Sequence, residues 1–244
     1  MYSSYGDSGI VNIVTQKKII DGYKASLDGS FGTRNNKNGF NLTLGKGRFS
    51  MSARGNAWYS WPREGSTSYE RKDWNSIGDT NILTNNGISE SQWIGYGSGI
   101  NMLYNINSYN SISSDIKFRG RNFPSENTTT INYQAVDTTE NYNYSSYLES
   151  TNETQNISWS TDYTKNFKEN EKKELSISYQ LGNRIKKNIS LISENNNLVN
   201  LENINKEQNF EHTFQLDYSY PVKDHLLEMG SKIIIRDQEM DYQT

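Results

Sequence analysis

The sequence contains no cysteine, which removes disulfide scaffolds, thiolate metal sites and a cysteine nucleophile together. No run of about 18 apolar residues occurs, so no transmembrane helix is available. Basic residues are not in excess either: 25 Lys and Arg against 28 Asp and Glu leave a net charge of −3, and a nucleic-acid binder would normally carry a basic stripe. Hydrophobic residues make up only 33% of the chain and the mean hydropathy is −0.87, a composition that alone would suit disorder. What is present argues otherwise. Aromatics reach 12%, with 17 tyrosines, and apolar residues recur at every second position.

Two-residue alternation is the dominant pattern. In residues 48–61, Phe49, Met51, Ala53, Ala57 and Tyr59 share one face, and Ser50, Ser52, Arg54 and Asn56 share the other. Successive strand side chains point to opposite sides, so one face is apolar and one is wet. In residues 111–119, Ile112, Ile116 and Phe118 oppose Asp115, Lys117 and Arg119. In residues 210–220, Phe210, Phe214, Leu216, Tyr218 and Tyr220 oppose Glu211, Thr213, Gln215, Asp217 and Ser219. Further strands are expected at 22–31, 39–45, 93–104, 156–166, 174–184 and 226–236, nine in all with no convincing helix.

The connections alternate in length. GKGR at 45–48, NINSYN at 105–110, FKENEKK at 167–173 and PVKDH at 221–225 read as tight polar turns. Between them lie long connections at 62–92, 120–155 and 185–208, and one short connection at 32–38 on the long-loop side. Tight turns at one end and long loops at the other describe an antiparallel up-and-down meander of the outer-membrane kind, apolar toward lipid and polar toward a wet lumen. A hydrophilic average is then expected. Trp58, Tyr59 and Trp61 close one strand and Trp93 and Tyr96 open the next, which suggests an outer aromatic girdle; Tyr104, Tyr109, Phe167 and Tyr220 could supply the inner one. The rival reading is a soluble β-sandwich or solenoid, which rarely needs such long loops.

Residues 8–18, SGIVNIVTQKK, are the least polar segment near the N-terminus. Positive charge follows the apolar run, the reverse of a secretory signal, and the β-branched residues favour a strand buried on both sides. The run from Tyr5 to Lys18 resembles the last plug segment of TonB-dependent outer-membrane receptors. The stretches DGYKASLDGSFGT, NGFNLTLGKGRFSMSARGNAWYS and LDYSYPVKDHLLEMGSKIIIRDQEMDY look like the barrel of Bacteroidetes-type receptors of this class. The resemblance implies that residues 1–20 end a plug domain, with Gly9, Ile10, Val11, Asn12, Ile13, Val14 and Thr15 as its strand motif, and that 21–244 form the first part of the barrel. It implies an internal fragment, since barrels of this class have about 22 strands. It also implies outer-membrane lipid as the surroundings, with TonB and a surface lipoprotein as partners of the full-length parent.

Enzymatic chemistry is not supported. His212 and His225 are too far apart to share a strand face; His212 is expected among lipid-facing aromatics and His225 at a turn. No GxSxG elbow accompanies the many serines. GYGSG at 95–99 lacks the GK[ST] ending of a phosphate loop and sits inside a strand, so its glycines read as close-packing positions. The acidic pairs Asp137 with Glu140 and Glu169 with Glu171 read as solvation of loops and turns.

The expectation is therefore an all-β chain, an open and incomplete transmembrane β-barrel of about nine strands in the outer membrane of a Gram-negative bacterium. It has no cofactor, metal or nucleic acid, and belongs to a parent that imports a large nutrient such as an iron chelate, oligosaccharide or peptide. Tyr69, Arg71 and Trp74 in the first long loop are candidate ligand contacts, because exposed aromatics and Arg favour binding sites. A small self-contained porin or adhesin barrel is the first alternative and a soluble glycan-binding β-domain the second.

Overall fold

The computed structural model describes residues 19, 21–74, 78–194, 200–223 and 225–244. The expected plug-strand motif, Gly9 to Thr15, lies outside them. Eleven strands form one antiparallel sheet: β1 Gly22–Ser30, β2 Asn35–Lys46, β3 Phe49–Ser60, β4 Arg63–Trp74, β5 Thr80–Ser91, β6 Ile94–Asn107, β7 Asn110–Gln134, β8 Tyr142–Phe167, β9 Asn170–Glu194, β10 Asn200–Val222 and β11 His225–Gln243. The main path runs β1-β2-β3-β6-β7-β8-β9-β10-β11. Those nine strands occupy the nine positions that alternation marks out, in sequence order. The sheet is not closed: among the described residues β1 pairs with β2 alone and β11 with β10 alone.

The tight turns fall where expected. Pairs Lys46↔Phe49, Asn107↔Asn110, Phe167↔Asn170 and Val222↔His225 each bracket two residues. At the first, Gly47 has φ 57°, the backbone that glycine adopts without penalty and that two-residue hairpins require. Lys223 occupies the equivalent place with φ 52°.

The long connections are not open loops, and this corrects the sequence reading. Within 62–92, β4 and β5 pair antiparallel from Arg63↔Ser91 to Trp74↔Thr80. Residues 120–155 and 185–208 are mostly the outer ends of β7, β8, β9 and β10, which run 25, 26, 25 and 23 residues. A strand of 25 residues is about 80 Å long, whereas crossing a bilayer takes about 9–11 residues. Both faces of the outer ends are wet, so they lack the apolar alternation by which a strand announces itself, yet Thr, Ile and Tyr still favour extended backbone.

β3 and β4 lie end to end, as do β5 and β6. β4 pairs with β5 above the pairing of β3 with β6, and β7 receives β6 along 110–122 and β5 along 125–134. The joints, at 61–62 and 92–93, are held by Ser60. Its amide donates to the Trp93 carbonyl at 2.8 Å and its hydroxyl accepts from the Trp93 amide at 2.7 Å. The Gln92 amide continues the bridge to the Pro124 carbonyl at 3.0 Å.

No described hydrophobic side chain is buried. The fold is one layer with two different faces. The register aligns Ala25, Leu42, Ala53, Ile100, Ile116, Trp159, Leu181, His212 and Ile235 in a row across the whole path. The next row toward the turns carries Tyr23, Leu44, Met51, Met102, Ser114, Thr161, Tyr179, Phe214 and Ile233. Ile233 and Ile235 are 58% and 57% exposed. A continuous apolar face without a cover is stable only against an apolar solvent, here the acyl chains of a bilayer. Several polar groups on it pair with one another, as a membrane interior favours, although the Asn183 side-chain oxygen, between Ile157 and Phe210, has no partner. The Trp159 indole donates to Ser114 Oγ at 3.0 Å, Ser114 Oγ lies 3.1 Å from both the Ser160 carbonyl and Thr161 Oγ1, and Tyr179 Oη shares a hydrogen bond with His212 Nδ1 at 2.9 Å.

Candidate functional site

The opposite face is the one that can meet a solute. Strand parity places on it Ser52, Asn101, Asp115, Ser160, Gln180 and Thr213 in one row. The next row away from the turns holds Arg54, Gly99, Lys117, Ser158, Gly182, Glu211 and Arg236. Beyond it come Asp28, Gly39, Asn56, Gly97, Arg119, Asn156 and Arg184, and then Lys37, Trp58, Gly95, Arg121, Thr154, Lys186 and Glu207. Shallow hollows on this face are lined by Asp115, Lys117, Gln180 and Glu211 and by Asn41, Arg54, Gly99 and Lys117.

Charge is graded along it. The three rows farthest from the turns hold the cations Arg54, Lys117, Arg236, Arg119, Arg184, Lys37, Arg121 and Lys186 against three carboxylates, Glu211, Asp28 and Glu207. Nearer the turns the same face holds Asp115, Asp162, Glu174, Asp217 and Glu228 against Lys24 and Lys232. Lys117 pairs with Asp115 at 2.5 Å, Lys186 with Glu207 at 2.8 Å and Arg236 with Glu211 at 2.5 Å. Among the described residues Arg54, Arg119, Arg121 and Arg184 form no ion pair. Sequence reading missed this belt because its members lie on different strands and meet only through the register.

The glycines of GYGSG form the floor between these cations. A Cβ on Gly99 would lie 3.6 Å from Arg54 Nε and 3.6 Å from Lys117 Cγ; one on Gly97 would lie 3.3 Å from Asn56 Oδ1 and 3.7 Å from Arg119 Cγ. At Gly95 the ring of Trp58 lies against the bare backbone and occupies the space where a Cβ would stand. Close packing was the expected role, and at Gly95 the neighbour is Trp58 of the adjacent strand.

The five residues expected in one outer girdle divide. Tyr59 and Tyr96 share the apolar face by parity, and Trp61 meets Tyr59 edge-on at 5.1 Å while its indole donates to the Gly32 carbonyl at 3.1 Å. Trp58 takes the polar parity of Arg54 and Asn56. It packs on Trp93 at 5.5 Å, and Trp93 on Phe123 at 5.7 Å, with the Arg121 guanidinium 6.0 Å from the Phe123 centroid. Near the turns, Lys173 lies over Phe167 at 4.3 Å and over Tyr220 at 5.3 Å. His212 sits among aromatics, 4.9 Å from Phe210, and His225 begins β11 beside its turn.

Tyr69, Arg71 and Trp74 all lie on β4, where Tyr69 is 54% and Trp74 70% exposed. Tyr69 and Arg71 share one face, Trp74 takes the other, and Arg71 pairs with Asp73 at 3.0 Å. The three therefore do not converge on one point. Among the described residues no cluster of His, Asp or Glu could hold a metal ion.

An unclosed antiparallel meander with a lipid-type face and a charged wet face defines an outer-membrane β-barrel wall. Residues 169–244, under half of the chain, match the model of an outer membrane protein beta-barrel family, and this match supports an outer-membrane location. The Pseudomonas putida toluene transporter TodX is similar at 7% identity, covering 85% of this chain and 68% of that one with a TM-score of 0.23, too slight a likeness to argue from. No curated protein matches the sequence.

Proposed function

We propose that this chain is part of the barrel wall of a TonB-dependent receptor that imports a large nutrient across the outer membrane. The observation that carries the reading is the unclosed path of nine strands, whose outer edges, β1 and β11, lack partners among the described residues. Unpaired backbone donors and acceptors are costly in a bilayer, so further strands must complete the wall, and a lumen wider than nine strands enclose has room for a plug and a bulky solute. The resemblance of residues 5–18 to a plug terminus supports the same parent.

The test has two arms. Strains lacking this gene, and strains lacking TonB, are compared for uptake of labelled iron chelates, oligosaccharides and peptides; loss of the same nutrient in both is expected, and uptake indifferent to TonB would overturn the receptor reading. In the second arm the 244-residue chain is exported alone behind a signal sequence. It should give no heat-modifiable, protease-resistant band. Obtaining that band would establish the self-contained porin or adhesin instead. The soluble glycan-binding domain is disfavoured already, because no described hydrophobic side chain is buried.

A further inference from the structure

We propose that the cationic belt on the polar face is a binding subsite for solutes bearing several oxyanion groups, carboxylate or phosphate. The inference deepens the transport reading and rests on this face being the wall of the lumen.

Three observations converge. First, the belt opposes the chain's overall charge: three consecutive rows are strongly basic although the protein carries −3, so the cations are segregated rather than merely abundant. Second, Arg54, Arg119, Arg121 and Arg184 form no ion pair among the described residues, whereas the neighbouring Lys117, Lys186 and Arg236 all do. Guanidinium is weakly hydrated and presents a planar fork matched to carboxylate and phosphate. Third, Gly97 and Gly99 keep the sheet bare between Arg54 on one side and Lys117 and Arg119 on the other, with Arg54 Nε 3.6 Å from where a Gly99 Cβ would stand. Side chains there would fill the space an anion needs.

The spacing selects polyanions. Arg54 and Arg119, like Arg119 and Arg184, are two strands apart, on the order of 10 Å between backbones. Long side chains can close that gap onto one tricarboxylate-sized molecule. The Trp58, Trp93 and Phe123 cluster adjoins the belt on the side away from the turns and offers a ring-faced approach to it.

Equilibrium dialysis of radiolabelled citrate against the purified full-length protein in detergent tests the subsite, with labelled glucose as the neutral probe. Citrate should be retained in preference to glucose. The pair Arg119→Gln and Arg184→Gln should weaken retention about tenfold for each guanidinium removed. Lys24→Gln with Lys232→Gln, on the same face outside the belt, should change it less than about twofold. Should the arginine variant fail the heat-modifiability check for folding, the native protein still decides: raising salt from about 20 mM to about 0.5 M should release citrate. Equal retention of glucose, equal loss in the lysine variant, or retention indifferent to salt or to the arginines would each overturn the subsite. Dialysis requires no TonB, so failure of the subsite and failure of the receptor reading are seen separately.

Discussion

Leu216→Arg and Gln215→Arg differ by one position in β10 and should differ severalfold in cost. Leu216 lies on the apolar face between Ile177 and Ser231 and is 47% exposed. Gln215 lies on the polar face between Ser178 and Lys232, with its amide donating to Asp217 Oδ2 at 2.6 Å. Leu216 is six residues before the end of β10 at Val222, about 20 Å along the strand. A tilt of about 40° brings that to about 15 Å of depth, near the middle of an apolar band about 25 Å tall. Arginine on the lipid face at that depth costs about 2–4 kcal/mol, whereas lumenal substitutions are tolerated. At position 215 the new guanidinium would meet Asp217 instead. Folding of the full-length protein into lipid vesicles, titrated with urea and followed by heat-modifiable migration, should show Leu216→Arg destabilised by about 2–4 kcal/mol and Gln215→Arg by less than about 1 kcal/mol. Equal or reversed effects would mean that the faces are assigned the wrong way round.

Lys223→Gly should raise the urea midpoint of the same folding reaction by the equivalent of about 1 kcal/mol, since a side chain at φ 52° carries a left-handed penalty that Gly47 avoids; no change would mean the β10–β11 turn is unstrained. Gly120→Val should be strongly destabilising, because its Cβ would overlap the Tyr96 ring, and a double-mutant cycle with Tyr96→Ala should recover much of the loss. The Thr139 hydroxyl and amide donate to Asp137 at 2.7 and 3.0 Å and hold its carboxylate pKa below the ordinary value. A depressed folded-state pKa contributes stability above the unfolded value that disappears as pH falls through the folded one. Hydrogen exchange in 137–141 should therefore quicken only under acid conditions, and in Asp137→Asn it should lose that dependence.

Nine strands and four tight turns were legible because lipid on one side and water on the other impose a two-residue period, and because the turns are polar. Where both faces are wet the period vanishes: Thr128, Thr129 and Thr130 in β7 and Asn143, Tyr144, Ser145 and Ser146 in β8 look like loop, although they pair residue for residue. Of the aromatic cluster, parity alone would have put Trp58 with Arg54 and Asn56 rather than with Tyr59. Trp93 gives no such signal, since it sits in the joint between β5 and β6, where alternation is interrupted. The cationic belt needed the full register, because Arg54, Arg119 and Arg184 stand on three strands far apart in sequence.

The joints explain how strands longer than the membrane remain one sheet. The apolar face of β10 runs from Phe210 to Tyr220, 11 residues, the length a tilted strand needs to cross a bilayer, and beyond it Gln208 and Lys206 continue the same parity. The change comes at a similar level elsewhere, at Gln155 in β8 and Asp237 in β11, both within one or two rows of Phe210 by register. Trp61, Pro62, Gln92, Trp93 and Pro124 form a line across the three strand columns, farther from the turns than Gly55, Ser98 and Phe118, which share the row of Phe210. A proline lacks the amide that a sheet interior would require, so both prolines, Pro62 and Pro124, stand where pairing between the columns pauses; at the joint Ser60 Oγ, in place of a backbone carbonyl, accepts from the Trp93 amide. Outside the line, β4 has neighbours on one side only among the described residues, and its exposed edge would template association if it were apolar. It carries instead Arg63, Glu64, Glu70, Arg71, Lys72 and Asp73, with the pairs Arg71–Asp73 and Lys72–Glu70 formed along the strand itself. Such exposed pairs contribute little stability. Their effect is on specificity: they keep water on an edge that another strand could otherwise occupy, which leaves the β4–β5 pair extended without making it adhesive.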